Sequence, residues 1–269
     1  MSLERRKILA HLGAELELTP GPAGMGGAIA KAEELAAKIP NAVIPAQCDN
    51  PANPLVHEKT TAEEIWFDTK GEVDAIISGV GTGGTILGVG RFLRRVQPKA
   101  LLHPVEPASS PTLTTGHKVG SHRIQGISDE FIPPIVKLDA LDRIVSVSDG
   151  DAILMSQQLA HHGLAVGISS GANFLGALEV QNTLGPSATV VTVFSDSNKK
   201  YLSTDLLRDL VQDDPDQRGE LDTLAGLIRR KLDELGATGT KITVTSDLDE
   251  FAIAALAGPM RKMRTSGAR

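Results

Sequence analysis

The 269-residue chain is 41% hydrophobic and 22% charged, a composition typical of soluble globular proteins. Its formal net charge of −6 argues against non-specific binding to nucleic acid or to a membrane surface, because both need a basic face. The single cysteine excludes an internal disulfide framework, and no apolar run approaches the roughly 20 residues of a membrane span. Because the first residues, MSLERRKILAHLG, are too charged for a secretory signal, we expect a cytoplasmic protein.

Helical and strand-like patterns alternate along the chain from its first residues. Apolar residues at helical spacing, with suitable start and stop residues, predict helices over 2–10, 26–40, a stretch around Trp66, 85–96, 149–163, 167–185, 221–235 and 249–258. Runs of apolar and β-branched residues predict strands over 15–19, 41–47, 73–79, 100–107, 143–148, 188–194 and 241–246. Strands that alternate with helices predict an α/β fold, with a mostly parallel twisted sheet and helices on both faces.

The character of the sequence changes near Leu210, where VQDDPDQRG (211–219) forms a polar, proline-containing linker. The segment after it carries no residues with an evident chemical role. We therefore expect residues 211–269 to be a small docked appendage or an oligomer contact, with a role in packing.

A glycine-rich loop, GVGTGG (79–84), joins a predicted buried strand to a predicted helix. Glycines let the backbone turn tightly and approach a ligand closely, and the helix start behind them offers unpaired amides at its positive dipole end. Thr82 and Thr85 add two hydroxyl donors in the same turn. The loop therefore predicts a phosphate site.

The residues of this loop leave three interpretations open. Gly79, Gly81 and Gly84 satisfy G-x-G-x-x-G, and Glu106 ends the next apolar run, as in a dinucleotide site with Glu106 as the ribose partner. The second interpretation is a smaller phosphorylated cofactor, and the third is a strand-to-helix turn without a ligand. A Walker-type loop is excluded, because no Lys-Ser or Lys-Thr follows the last glycine.

A series of segments along the chain resembles the cysteine synthase family, also called O-acetylserine sulfhydrylases. The segments are MSLERRK, GAELELTPG, GMGGAIAKAEEL, NPANPLVHEKTTAEEIW, VDAIISGVGTGGTILGVGRFL, VEPASSP, HRIQGIS, FIPPIV, VGISSGAN and KKYLSTDLL, and they cover roughly residues 1 to 208 in family order. The resemblance implies an enzyme of the tryptophan-synthase-β fold type (fold type II) with pyridoxal 5'-phosphate as its cofactor. It implies a partial small lobe over residues 1–50 and a large cofactor-binding lobe over 51–210, which the appendage over 211–269 follows.

The same resemblance implies a reaction and a set of partners. In the family, O-acetylserine and sulfide give cysteine and acetate by β-replacement, so the ligand would be a small amino acid. A homodimer and a serine acetyltransferase partner are also implied.

Particular residues are implied to bind the cofactor and the substrate. The residues that would hold the cofactor phosphate are Gly81, Thr82, Gly83, Gly84 and Thr85. Ser169, in GISSGA, would hydrogen-bond the pyridine nitrogen and leave the ring neutral, although by itself this serine is typical of a helix N-cap. Gln47 would contact the substrate carboxylate, and Gly126 would let the backbone approach the substrate.

Some positions depart from the family pattern. Cys48 stands where the family often has Phe, and we expect a small buried side chain rather than a nucleophile, because no basic neighbour is evident. Ser195–Asn198 replaces a more common Asp-Ser-Gly pattern, which leaves the sulfur donor open. The seven histidines show no metal-ligand spacing, so no metal is expected.

The family's catalytic lysine lies in a Ser-x-Lys-Asp-Arg-like segment, which does not occur in these 269 residues, nor does a Thr-Ser-Gly-Asn-Thr-Gly-like substrate loop. The chain thus resembles a family member that begins at an internal Met. The lysines that match other family positions or surface patterns are Lys59, Lys70, Lys118, Lys137, Lys199 and Lys200. We therefore expect weakened cofactor binding, no covalent bond to the cofactor aldehyde, no catalytic residue in the chain and no turnover by the chain alone.

Three hypotheses compete for the function of the chain. The first is joint function with a separately encoded N-terminal piece. The second is a non-catalytic remnant or dimerisation module, and the third is an NAD-type nucleotide-binding protein that uses Glu106.

Overall fold

The computed structural model describes residues 1–207, 241–246 and 254–257 of the chain. The helices in this part are α1 (Leu3–His11), α2 (Gly24–Lys38), α3 (Ala52–Lys59), α4 (Thr61–Asp68), α5 (Gly84–Val96), α6 (Thr112–Thr115), α7 (Asp149–His161) and α8 (Ile168–Leu184). The strands are β1 (Ala75–Gly79), β2 (Leu101–Pro107), β3 (Val145–Val147), β4 (Val190–Phe194), β5 (Lys241–Ser246) and β6 (Ala254–Ala257).

These strands form one sheet in the order β3-β2-β1-β4-β5-β6. The neighbouring strands are parallel, except that β6 runs antiparallel to β5. Ala75 of β1 lies opposite Leu101 on one side and Val190 on the other, so the strand order reverses between β1 and β4. In open parallel sheets, ligands bind outside the carboxyl ends of the strands at such a reversal. The glycine-rich loop lies at this place.

Helices cover both faces of the sheet, as the alternation of strands and helices predicts. Successive residues of a strand point to opposite faces, and in β1 Ile77 joins the core under α7 and α8, whereas Ile76 joins the core under α4 and α5. Both isoleucines are fully buried. The predicted α/β class and the mostly parallel sheet are confirmed.

Two predicted strands near the N-terminus are wrong. Residues 15–19 and 41–47 are extended or turn segments, and no described residue pairs with them in a ladder. A strand needs a hydrogen-bonded neighbour, so a local β pattern without one does not form a strand.

Four other predictions have different outcomes. Residues 241–246 form a strand as predicted. Residues 254–257, which belong to the predicted helix over 249–258, pair antiparallel with that strand, so the helical prediction is wrong for these four residues. The predicted helix around Trp66 is two helices, α3 and α4, separated at Thr60, whose φ of −125° and ψ of −75° are not helical. The predicted helix over 221–235 lies outside the described residues.

Polar contacts hold the N-terminal helices against the rest of the structure. Ser2 caps α1, as predicted, and its hydroxyl donates to the carbonyl of Lys200 at 2.6 Å. Arg5 donates to Asp196 at 2.9 Å and to the hydroxyl of Tyr201 at 2.7 Å. At α2, Glu130 accepts a hydrogen bond of 2.9 Å from the backbone amide of Met25.

Candidate active site

The glycine-rich loop follows the carboxyl end of β1, and a side chain from α8 fixes this end of β1 to β4. Asn173 Oδ1 accepts from the amide of Gly79 at 2.6 Å, and its Nδ2 donates to the carbonyl of Val193 at 2.7 Å. Asn173 is buried, so water does not compete for these bonds. Sequence reasoning missed this residue, because no local pattern shows that α8 lies across two strands.

Several amides of the loop have no acceptor. No described residue accepts a hydrogen bond from the backbone amides of Gly81, Thr82, Gly83 or Thr85, and the amide of Gly84 reaches only Thr82 Oγ1, at 3.3 Å. Because α5 begins at Gly84, its positive dipole end faces the same loop. Free amides at a helix start, together with two threonine hydroxyls, suit an anion such as phosphate.

Two glycines of the loop occupy positions where a side chain does not fit. Gly83 has a left-handed φ of +82°, and a Cβ there would lie 2.6 Å from Cγ2 of Val136. A Cβ on Gly81 would collide with the carbonyl oxygen of Gly126. The structure thus brings Gly126 against the loop, as close as glycine backbones allow.

Helix α3 packs closely against α5 along two glycines, Gly84 and Gly88. A Cβ on Gly88 would lie 2.7 Å from Cβ of His57, and a Cβ on Gly84 would collide with the side-chain amide of Asn53. This close approach places Asn53 beside the loop, where its Nδ2 donates to Thr82 Oγ1 at 2.9 Å. Sequence reasoning missed Asn53, although NPANP lies within the family-like segments.

Gln47 lies next to the loop in an exposed turn. Its carbonyl accepts a hydrogen bond of 2.9 Å from the same Asn53 Nδ2 that holds Thr82. The preceding residue, Ala46, has a φ of +51°, and its carbonyl accepts from the amide of Asp49 at 2.9 Å. The structure therefore brings Gln47, which the family resemblance implies contacts the substrate carboxylate, next to the loop that it implies holds the cofactor phosphate.

Thr85 contacts a histidine of α3. Thr85 Oγ1 lies 3.3 Å from Nε2 of His57, and Nδ1 of His57 lies 2.9 Å from Oγ1 of Thr61. Each ring nitrogen thus has a hydroxyl within hydrogen-bond distance, and the tautomer decides which nitrogen donates. His57 orients the second threonine of the loop.

Ser169 lies in the first turn of α8, and the N-cap of this helix is Gly167. The N-cap interpretation of Ser169 is therefore wrong. Ser169 is a buried residue, and no described residue hydrogen-bonds its hydroxyl. The hydroxyl oxygen of the neighbouring Ser170 is itself fully buried and has no partner among the described residues. Residues four apart share a helix face, so Ser169 lies one turn from Asn173 on the side of α8 that meets β1 and β4. Buried hydroxyls without partners are rare, so this helix start suits a polar ligand atom.

Cys48 is buried, as expected for a small packed side chain. Burial raises the pKa of its thiol, and the negative charges of Asp129 and Asp49 raise that pKa further. A thiol whose pKa is raised holds little thiolate near neutral pH, so a nucleophilic role finds no support.

Glu106 is fully buried, and its carboxylate is occupied within the protein. It accepts hydrogen bonds from the amides of Leu113 and Thr114 at 2.8 and 3.3 Å, and from the hydroxyl of Thr114. The carboxylate caps α6 and is out of reach of a ribose. The dinucleotide interpretation therefore loses its ribose partner.

The segment Ser195–Asn198 follows β4 and contacts the start of α8. The carbonyl of Asp196 accepts from the amide of Gly167 at 2.9 Å, and its carboxylate accepts from the hydroxyl of Tyr201 at 2.7 Å. Burial is the main cause of a pKa of the Tyr201 hydroxyl well above its ordinary value, and the negative charge of the nearby Asp196 carboxylate raises this pKa further. This segment therefore positions the helix that carries Ser169.

Metal-binding clusters and membrane-spanning helices are both absent from the part of the chain that the structure describes. That part contains no group of three or more His, Cys, Asp and Glu residues that could hold a metal ion. It also contains no helix that is long and apolar enough to cross a membrane.

Known proteins resemble this chain in sequence and in structure. The family model for pyridoxal-phosphate dependent enzymes matches residues 1–196. Cysteine synthase B of Campylobacter jejuni is 45% identical over 206 residues, which cover 77% of this chain and 68% of the relative. Cysteine synthase A of Escherichia coli K12 is 44% identical over 220 residues, which cover 78% of this chain and 68% of the relative.

Solved structures of related enzymes are also similar to this chain. A hydrogen sulfide-producing enzyme from Fusobacterium nucleatum has a TM-score of 0.74 and 50% identity, and the match covers 78% of this chain and 64% of that enzyme. O-acetyl serine sulfhydrylase isoform 3 from Entamoeba histolytica has a TM-score of 0.73 and 40% identity, with 83% and 67% covered. The match therefore spans about two thirds of the length of these relatives. The free amides and the glycine packing of the loop fit the phosphate of their cofactor, and the chain belongs to the pyridoxal-phosphate dependent enzymes, in the cysteine synthase family.

Proposed function

We propose that the protein acts in the β-replacement reaction of its family, in which O-acetylserine and sulfide give cysteine and acetate. In this reaction the bond from the substrate β-carbon to the acetate oxygen breaks, and a bond from the β-carbon to sulfur forms. The observation that carries the proposal is the loop with its free amides at the start of α5. It lies at the reversal of strand order, beside a turn that carries Gln47.

Gly81, Thr82, Gly83, Gly84 and Thr85 are proposed to hold the phosphate of pyridoxal 5'-phosphate. The unpaired amides of Gly81, Thr82, Gly83 and Thr85, together with the two threonine hydroxyls, would donate to its oxygens. The α5 dipole would favour its negative charge. When bound, the cofactor supplies an electron-withdrawing ring that stabilises negative charge on the substrate α-carbon.

Ser169 is proposed to donate its hydroxyl proton to the pyridine nitrogen. A serine hydroxyl is only a weak acid, so it would leave the ring neutral, whereas a carboxylate there would hold the ring protonated. The support is that Ser169 is a buried residue in the first turn of α8 whose hydroxyl no described residue hydrogen-bonds.

Gln47 and Gly126 are proposed to face the amino-acid substrate. The exposed side chain of Gln47 has two amide donors for a carboxylate, and its backbone is fixed next to the loop by Asn53. Gly126 lies against Gly81 and has no side chain to fill the space above the loop.

These 269 residues are proposed to bind the cofactor without a covalent bond and to show no turnover by themselves. The support is the absence from the sequence of the lysine-bearing string that the family uses as anchor and general base. The runner-up proposals, a joint function with a separate N-terminal piece and a non-catalytic dimerisation module, share this expectation. An NAD-binding function has less support, because Glu106 is occupied at α6.

Other features that the family resemblance implies are carried here as proposals: a partial small lobe over residues 1–50, a large lobe over 51–210, a homodimer and a serine acetyltransferase partner. An appendage over 211–269 and a cytoplasmic location are proposed from the sequence itself. The acidic net charge of −6 fits such a protein.

Titration of the 269-residue chain with cofactors tests the proposal. We expect pyridoxal 5'-phosphate to bind, inorganic phosphate to compete with it, and pyridoxal, which lacks the phosphate, to bind at least about tenfold more weakly, because charge-assisted hydrogen bonds to the loop are lost. NAD is the control ligand and should not compete. Reduction with borohydride followed by peptide mapping should find no lysine joined to the cofactor.

Two other outcomes of these experiments would contradict the proposal. Binding of NAD in competition with phosphate would replace the proposal with the dinucleotide function. A labelled lysine, or cysteine formed from O-acetylserine and sulfide by the chain alone, would overturn the proposal of non-covalent binding.

A further inference from the structure

The side-chain amide of Asn53 contacts two parts of the site at once. Its Nδ2 lies 2.9 Å from the carbonyl oxygen of Gln47 and 2.9 Å from Thr82 Oγ1. An amide nitrogen carries two hydrogens, so one is available for each acceptor. Since a carbonyl oxygen only accepts, the contact with Gln47 fixes which end of the Asn53 amide is the nitrogen.

The hydrogen bonds around Thr82 determine the direction of its own proton. Thr82 Oγ1 accepts from Asn53 Nδ2 at 2.9 Å and from the amide of Gly84 at 3.3 Å. A hydroxyl has two lone pairs and one hydrogen, and both donors occupy the lone pairs. The hydrogen of Thr82 must therefore point away from Asn53, and a phosphate held by the free amides of the loop would accept it.

We propose that Asn53 is a positioning residue that makes Thr82 a hydrogen-bond donor to the cofactor phosphate and joins this threonine to the turn of Gln47. This inference rests on the proposed function of the loop. Asn53 acts through Thr82 and the Gln47 backbone, and both hydrogens of its amide nitrogen are used in these two contacts. The close packing of α3 on Gly84 holds the amide in place.

Replacement of Asn53 by Asp tests the direction of the proton with almost no change in shape. A carboxylate oxygen in place of Nδ2 repels the Gln47 carbonyl and accepts the proton of Thr82, so that this proton is lost to the phosphate. We expect N53D to raise the dissociation constant of pyridoxal 5'-phosphate about tenfold or more, as measured by fluorescence titration. The affinity for pyridoxal, which has no phosphate, should change much less.

Asn50→Asp is the matched control, because it adds the same charge to the same stretch of chain. Asn50 Nδ2 donates to the carbonyl of Pro45 at 3.0 Å, and its Oδ1 accepts from the amide of Ala52 at 3.0 Å, so it contacts neither Thr82 nor Gln47. Since Asn50 is exposed, its new charge is screened by solvent. We therefore expect the dissociation constant of N50D for pyridoxal 5'-phosphate to stay within about twofold of that of the unchanged chain.

A double-mutant cycle with Asn53→Ala and Thr82→Val separates positioning from a general loss of structure. If Asn53 acts through Thr82, N53A weakens phosphate-dependent binding in the unchanged chain but adds little in the T82V background. Thermal unfolding of each variant shows whether it is folded. This cycle decides the question even if N53D does not fold.

The outcomes distinguish this inference from the proposed function. Equal affinities of N53D and N50D for pyridoxal 5'-phosphate, or additive effects of N53A and T82V, would overturn the role of Asn53 and leave the proposed function standing. Failure of the unchanged chain to bind pyridoxal 5'-phosphate or inorganic phosphate would overturn both.

Discussion

Gly83 shows how a single residue limits the site. Its φ of +82° and ψ of 0° are left-handed, and the space where its side chain would stand is occupied by Val136. A residue with a Cβ at this position would have a strained backbone and would also displace Val136.

Gly83→Ala should therefore lower the free energy of unfolding by about 2 to 3 kcal/mol, of which about 1 kcal/mol is the backbone term. Gly116 is the matched control, because its φ of +82° and ψ of −6° are nearly the same but open space surrounds its Cβ position. Denaturant unfolding of both variants measures the difference. Equal losses in G83A and G116A would show that Val136 moves without cost.

The sequence alone predicts some residues of the site and not others. The glycines and threonines of the loop are recognisable from spacing and type, because their chemistry depends on local backbone. Asn53 and Asn173 are not recognisable in that way, because each acts across a contact between elements that are distant in sequence: Asn173 bonds Gly79 over 94 residues. Only the family resemblance assigns Ser169 to the cofactor site. Its place in the sequence predicts a helix N-cap, and in the structure Gly167 occupies that position.

Helix α1 illustrates how an element is held by a few polar contacts. None of its residues is buried, and its attachment depends on Ser2, on Glu4, which accepts from Ser203 at 2.9 Å, and on Arg5. Arg5 also lies over the ring of Tyr201, 5.4 Å from its centroid. An element with little buried apolar surface opens at low free-energy cost, so these contacts determine its stability.

Arg5→Met should increase amide hydrogen exchange over Leu3–His11 by about tenfold or more, because it removes hydrogen bonds to the buried carboxylate of Asp196 and to Tyr201. Arg6→Met is the control, because Arg6 is an exposed arginine of the same helix whose side chain makes no such contact with the residues that the structure describes. Exchange in α8 should be unchanged in both. Similar exchange of α1 in R5M and R6M would mean that other contacts hold the helix.

The elements also show why local patterns predict some strands and not others. The run of Val190–Phe194 forms a strand because β1 and β5 flank it, whereas 41–47 has a similar local pattern and no strand beside it. Residues 254–257, rich in alanine and leucine, suit a helix by propensity, yet they pair with β5. Pairing across the sheet overrides propensity in these cases.

Burial is distributed unevenly over the whole molecule. Ser2 is the one buried residue in 1–47, whereas the large buried core lies between residues 48 and 207 of the described structure. Leucine, isoleucine and valine side chains of the N-terminal stretch face solvent, including Leu12 at 75% exposure and Val43 at 86%. Exposed apolar side chains gathered in one segment favour association with other apolar surface.

The double variant Leu12→Lys, Val43→Lys should reduce binding of a hydrophobic dye and light scattering by the chain. It should leave the free energy of unfolding within about 0.5 kcal/mol, because these side chains bury almost nothing. Phe67→Lys is the control, since Phe67 is 82% exposed but belongs to α4. An unchanged dye signal in the double variant, or an equal loss in F67K, would contradict the prediction.

The hydrogen bond between Asn173 and Gly79 determines when the site can fold during synthesis of the chain. The glycine loop leaves the ribosome first, and the asparagine that secures its edge follows 94 residues later. Contacts between such distant parts of a chain form slowly, because a long loop must close before they are made. The crevice is therefore completed only after α8 has been synthesised and has packed against the sheet.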